Sequence, residues 1–215
     1  MRSLSQAQYE RGIEALRNRE HGEHALVIGN SPWRKTFPVG AWFGPTIACN
    51  AYWRDADRFP SYLVAFDPNL IKEQVIAKCY ENSVLVFREN EGRPAVLERI
   101  PLGDRGKWFH VAGAFDIGSL AGSLAIALAG WLGCKSITLV GFSLSHDNLY
   151  VGTEHYREDR PDAAQRAAGS RCTDHSRIRR AIDEYHRLSP GGSVHWITPG
   201  TWMLAALESP DRAAV

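Results

Sequence analysis

Lysine, methionine and cysteine are scarce in this chain of 215 residues, and no charge sign dominates. Five lysines stand beside twenty arginines, with two methionines and four cysteines. The formal charge of +1 excludes a strongly basic or acidic surface of the kind that grips duplex DNA or an anionic membrane. Cys49, Cys79, Cys134 and Cys172 lie far apart with no C-x-x-C pair, which excludes a dense disulfide framework. Buried free thiols in a reducing compartment are the expectation, and a four-cysteine zinc site is disfavoured because no ligand pair is local. Long apolar runs are also missing. The longest, 117–132, is broken by glycines and serines and falls short of the roughly 18 residues a membrane span needs. The N-terminal stretch is amphipathic and charged, unlike a signal peptide, so a cytoplasmic protein is expected.

Short apolar runs are what the chain does have: ALVIG at 25–29, TIAC at 46–49, YLVAF at 62–66, SVLVF at 83–87, SITLVG at 136–141 and VHWI at 194–197. None alternates strictly. Strands apolar on both faces belong in a sheet covered on both sides, which usually means parallel strands with crossover helices. Helical patterns fall between several of them. Ser5 can cap an opening helix with Tyr9, Ile13 and Leu16 on one stripe, and 69–77 follows the start signal Asp67-Pro68. The segment 119–132 is apolar nearly all round and should be buried, 176–188 is amphipathic, and 201–207 is expected to close the chain as a short helix. The pattern predicts an α/β fold over 1–215, a doubly wound and mostly parallel Rossmann-like sheet in a single domain.

Two stretches interrupt it. Residues 88–117 are polar and rich in glycine and proline. Residues 143–175 are longer and almost free of large aliphatics, and connections of that length are usually functional or disordered. The second leaves the carboxyl end of a predicted strand, where ligands bind in open α/β sheets. It is therefore expected to be a lid after a central strand, carrying His146, His155, His175, Tyr150 and Tyr156. Eight of the arginines lie between Arg157 and Arg187, close in sequence to acids that can pair with most of them, Arg171 and Arg177 being the likelier exceptions.

Candidate chemistry gathers at strand ends. Gly29-Asn30-Ser31-Pro32 follows the first strand, Cys49-Asn50 ends the second and Asp67-Pro68-Asn69 follows the third. Each alone reads equally well as a turn or helix cap. Three polar tips on successive strands would converge on one crevice, and carboxamides suit a nucleobase or sugar. G-x-G-x-x-G, a Walker lysine, G-x-S-x-G and H-E-x-x-H are all absent. His146, Asp147, His155, Asp174 and His175 have no tight metal-ligand spacing, so no metal is assigned. His175 precedes the arginine-rich 176–188 helix; at that helix's N-terminus its imidazole would be held neutral and able to act as a general base, or it would simply be solvated beside a capping Asp174 or Ser176.

The order Gly29-Asn30-x-Pro32, Cys49-Asn50-Ala51-Tyr52, Phe66-Asp67-Pro68-Asn69, then a small-residue helix running into Leu132-Gly133-Cys134-Lys135-Ser136-Ile137-Thr138-Leu139-Val140-Gly141, resembles the bacterial sialyltransferases that use CMP-activated sialic acid. It also resembles a related clan of Rossmann-like proteins grouped with hydroxymethylpterin pyrophosphokinases and motility accessory factors. The resemblance spans roughly 27–185. It implies a nucleotide-sugar donor bound by Gly29, Asn30, Ser31 and Asn50, with Asp67, Ser119, Gly122 and Ser143 in the same site. It implies inverting transfer without a metal or other cofactor, with His175 as base for a hydroxyl-bearing acceptor and Tyr150 and Tyr156 steadying the departing phosphate. The chain departs from that pattern at Leu120-Ala121-Gly122, where the family has Thr-Ser-Gly, at Ser143, where it has Asp, and at Ser145, where an aromatic is expected.

Two alternatives stand beside a glycosyltransferase. One is a Mg-dependent nucleotide diphosphotransferase with Asp67 and Asp147 near the metal. The other is a non-catalytic nucleotide- or sugar-binding module. The sequence leaves sugar, acceptor and oligomeric state open, a homo-oligomer included.

Overall fold

The computed structural model describes residues 13–54, 56–87, 99, 108–110, 120–142 and 163–198, with side chains left aside at 108–110 and 163–175. Seven strands form one sheet: β1 (His24–Ile28), β2 (Thr46–Cys49), β3 (Tyr62–Ala65), β4 (Val84–Phe87), β5 (Trp108–His110), β6 (Ser136–Val140) and β7 (Ser193–Trp196). Their order is β5-β4-β3-β2-β1-β6-β7, and every pair is parallel. The chain steps outward from β1 to β5, then returns to place β6 on the other side of β1. The order therefore reverses between β1 and β6, where the carboxyl ends of an open α/β sheet leave a crevice. The fold is α/β and Rossmann-like, as the apolar runs predict.

Three α-helices are described: α1 (Pro68–Ile76), α2 (Ala121–Trp131) and α3 (Ala163–Leu188). Side chains alternate across the strands, so Ala25, Val27, Ile47, Val64, Ile137 and Leu139 face one way with α2, Ile178, Ala181 and Tyr185. Leu26, Ile28, Ala48, Leu63, Leu85 and Val140 face the other, against Leu70, Ile71 and Val75 of α1. Burial on both faces explains why β1, β2, β3, β4 and β6 show no polar alternation, whereas β7 at the end of the sheet alternates exposed Ser193 and His195 with half-buried Val194 and Trp196. α2 is buried almost all round because it lies between the sheet and α3. A Cβ at Gly130 would come within 3.0 Å of the Leu188 Cβ and 3.1 Å of the Tyr185 carbonyl oxygen, so glycine lets the two helices touch backbone to backbone.

Some expectations are corrected. β5 lies inside the stretch that reads as a polar connection. Three residues at a sheet edge among glycines and prolines carry too little pattern to announce a strand. The crossover from β1 to β2 uses two 3-10 turns, Pro32–Thr36 and Val39–Ala41, instead of an α-helix. Trp33, Phe37, Val39 and Trp42 from this crossover cover the second face. The 176–188 helix is longer than expected: α3 begins at Ala163, so the last part of the predicted lid is helix. The remainder of the lid, 143–162, lies outside the described residues, as do most of the opening helix and the expected 201–207 helix. Of the opening helix, Ile13 and Leu16 are described, and both join the first-face core.

Candidate functional site

The candidate site is built on a close approach of two backbones. The Gly29 N–H donates to the Val140 carbonyl at 2.7 Å, and the Ser31 N–H donates to the Gly141 carbonyl at 2.8 Å. A Cβ at Gly29 would stand 2.4 Å from the Gly141 carbonyl oxygen, so only glycine permits the β1 and β6 tips to meet. Gly141 is left-handed at φ 73°, where other residues are strained, and that turn sends Phe142 back toward the site. The Phe142 ring packs between Gly29 and Gly122. A Cβ at Gly122 would lie 2.9 Å from Phe142 Cε1 and one at Gly29 would lie 3.2 Å from Phe142 Cδ2. The Phe142 carbonyl accepts from Trp196 Nε1 at 3.1 Å, which fixes the tip to β7.

Around this junction several polar side-chain groups make no hydrogen bond among the described residues. Ser31 is buried yet its hydroxyl does not cap the 3-10 turn that follows it. Asn50 is left-handed at φ 56°, with its N–H donating to the Val64 carbonyl at 2.8 Å and its carbonyl accepting from Gln74 Nε2 at 2.8 Å. Its backbone is thus fully engaged, while its half-buried carboxamide makes no hydrogen bond among the described residues. Asn30 Oδ1 has the Cys49 thiol 3.9 Å away, and its amide nitrogen has no hydrogen-bond partner among the described residues. A left-handed non-glycine residue costs on the order of 1 kcal/mol and persists only where its surroundings hold it. Fully buried Gln74 is what holds Asn50.

Arg34 supplies the charge. It is the only ionisable side chain classed as buried among the described residues apart from tyrosine and cysteine. Its side chain leaves the backbone beside Gly141 and carries the guanidinium over the Tyr52 ring, 4.6 Å from the centroid. A cation therefore spans the carboxyl ends of β1 and β2. Burial pushes the Cys49 thiol up to about 12, against the opposing pull of Arg34, so Cys49 is no nucleophile at neutral pH.

Of the residues expected in the site, Gly29, Asn30, Ser31, Asn50 and Gly122 are brought together along this edge. Asp67 lies at the end of β3, but its carboxylate accepts from the Asn69 N–H at 2.8 Å as the N-cap of α1, the ordinary structural use of that residue. Ser119, Ser143, Tyr150 and Tyr156 lie outside the described residues. His175 is corrected in one respect. It sits in the middle of α3 and not at a helix N-terminus, so the helix dipole gives no reason for a lowered pKa there.

Arg34, Gln74 and Phe142 are contributors the sequence reading passed over. Gln74 had a visible signal, since Leu70, Ile71, Gln74 and Val75 share one buried face of α1. Arg34 had none, because an Arg-Lys pair after a proline reads as a solvated turn. No family model, no curated protein and no solved structure matches the chain.

Proposed function

We propose that this edge binds a nucleotide-activated sugar, and that the chain transfers the sugar to a hydroxyl-bearing acceptor. One observation carries the reading: at and beside the point where strand order reverses, the Asn30 amide nitrogen and the Asn50 carboxamide make no hydrogen bond among the described residues, and the Ser31 hydroxyl does not cap the turn that follows it. Neutral donors and acceptors of this kind suit a base and ribose. Arg34, buried at the same edge with its guanidinium over Tyr52, suits the phosphate that links nucleoside to sugar. The donor class, CMP-sialic acid above other nucleotide sugars, and the transfer step come from the resemblance to the bacterial sialyltransferases. In that reading His175 takes the acceptor proton as the hydroxyl oxygen attacks the anomeric carbon. The bond to the nucleotide phosphate then breaks, and Tyr150 and Tyr156 donate to the departing phosphate.

Thermal-shift titration with CMP, CDP, UDP and ATP tests the donor, because a ligand bound only by the folded state raises the melting temperature by mass action. A cytidine nucleotide should stabilise the protein without added metal, and Asn50→Ala should remove most of that shift. The absence of any shift with cytidine nucleotides would end the donor assignment. His175→Ala should abolish transfer and keep nucleotide binding; retained transfer would remove His175 from the base role.

A further inference from the structure

The opposite, amino-terminal end of the sheet carries a polar cluster that this reading does not use. His24 begins β1 and His195 lies on β7, with Thr138 of β6 between the two strands and in register with His195. Both histidines are exposed, and their ring centroids are 5.8 Å apart. Each ring has a hydroxyl at its Nε2: Thr138 Oγ1 at 2.9 Å from His24 and Ser193 Oγ at 3.2 Å from His195. In the tautomer where Nε2–H donates to these hydroxyls, both Nδ1 lone pairs are unused among the described residues. That is the usual arrangement of a metal-ligating histidine, whose second nitrogen is held by a hydrogen bond.

We propose that His24 and His195 bind one first-row transition-metal dication, Cu(II), Ni(II) or Zn(II), through their Nδ1 atoms. Two imidazoles sharing one tetrahedral ion at ordinary metal–nitrogen lengths hold their centroids about 5.2 Å apart. The observed 5.8 Å is within a small side-chain rotation of that value. Imidazole selects these metals over magnesium or calcium, which require oxygen ligands. Water completes the coordination. The ion staples β7, at one end of the sheet, to β1 across β6.

Trp42 packs edge-on against His24 at 5.0 Å and reports the event, because Cu(II) and Ni(II) quench a nearby indole. Titration of the full chain with each metal salt alone should give saturable, one-to-one quenching that follows the order Cu(II) above Ni(II). Calorimetry should show Zn(II) binding with the same stoichiometry. His24→Asn and His195→Asn should each weaken binding at least tenfold. Thr138→Val, which removes only the hydroxyl on His24, should weaken it by about tenfold. Melting curves without metal establish that the variants are folded, as expected for the two exposed histidines and for the isosteric change at buried Thr138. Absence of saturable binding overturns the proposal. So does binding that survives both histidine substitutions, which would place the ion elsewhere, or binding that is lost in only one of them, which would deny a shared ion.

Discussion

Gly29→Ala is the sharpest probe of the strand-tip junction, because one methyl group is asked to occupy space already filled by backbone. The new Cβ would stand 2.4 Å from the Gly141 carbonyl oxygen and 2.8 Å from its carbon. Neither atom can rotate away as the end of a side chain would. Relief requires β1 and β6 to part at their carboxyl ends, and that movement stretches the 2.7 Å and 2.8 Å hydrogen bonds that join them. Overpacking of a rigid site costs about 1–3 kcal/mol, and backbone on backbone belongs at the upper end. For a domain of this size roughly 3 kcal/mol lowers the melting temperature by about 6–12 °C. Denaturant unfolding should show a lower midpoint with an unchanged slope. Gly40→Ala is the control. A Cβ there meets nothing within 4 Å, and the change should be neutral or slightly stabilising. A Gly29→Ala protein within about 0.5 kcal/mol of wild type, the ordinary scatter of surface substitutions, would refute the claim that the two tips are locked together.

Other consequences follow from single contacts. Tyr62 donates to Glu20 Oε1 at 2.6 Å, and burial, then that hydrogen bond, raise the phenol pKa far above its ordinary value. Its folded-state pKa exceeds the unfolded one, so its contribution is fully present below about pH 10 and is lost as pH rises further; Tyr62→Phe should flatten alkaline unfolding curves. Burial pushes the Cys49, Cys79 and Cys134 thiols up to about 12, so peptide mapping after a thiol-reagent pulse at pH 8 should find them unlabelled in native protein and labelled in denaturant. Asp67→Ala should cost about 1 kcal/mol as a lost helix cap, whereas Asp67→Asn keeps the cap and removes the charge. Unchanged nucleotide affinity in Asp67→Asn fits a purely structural Asp67, and Mg-dependent ATP binding abolished by it would favour the diphosphotransferase.

The sheet was legible because its strands are central. Residues 46–49 are buried at every position and flanked on both sides by other strands, so an apolar run of that length has few other uses. β5 was illegible for the complementary reason: an edge strand of three residues needs only one partner, and its ladder to Leu85–Phe87 supplies the order its own sequence lacks. The start of α3 is not legible because 163–175 holds no large aliphatic side chains, and its helical form carries no apolar stripe that periodicity can detect.

The site divides along the same physical line. Glycine, asparagine and serine at Gly29, Asn30, Ser31 and Asn50 announce themselves because strand ends are where backbone geometry and ligand recognition favour the same residue types. That coincidence also makes Asp67 ambiguous, and its 2.8 Å bond to the Asn69 N–H resolves it as a cap. What no local pattern can announce is support from elsewhere in the chain. Gln74 reaches from α1 to hold the Asn50 carbonyl, and Arg34 reaches from the first crossover to Tyr52 beyond the second strand. Both depend on contacts between residues 18 or more positions apart, which only the assembled sheet brings together. The asparagine at position 50 can therefore be read as a turn from sequence alone. Its left-handed backbone, held by Gln74 while its carboxamide makes no hydrogen bond among the described residues, is the feature on which the proposed binding role rests.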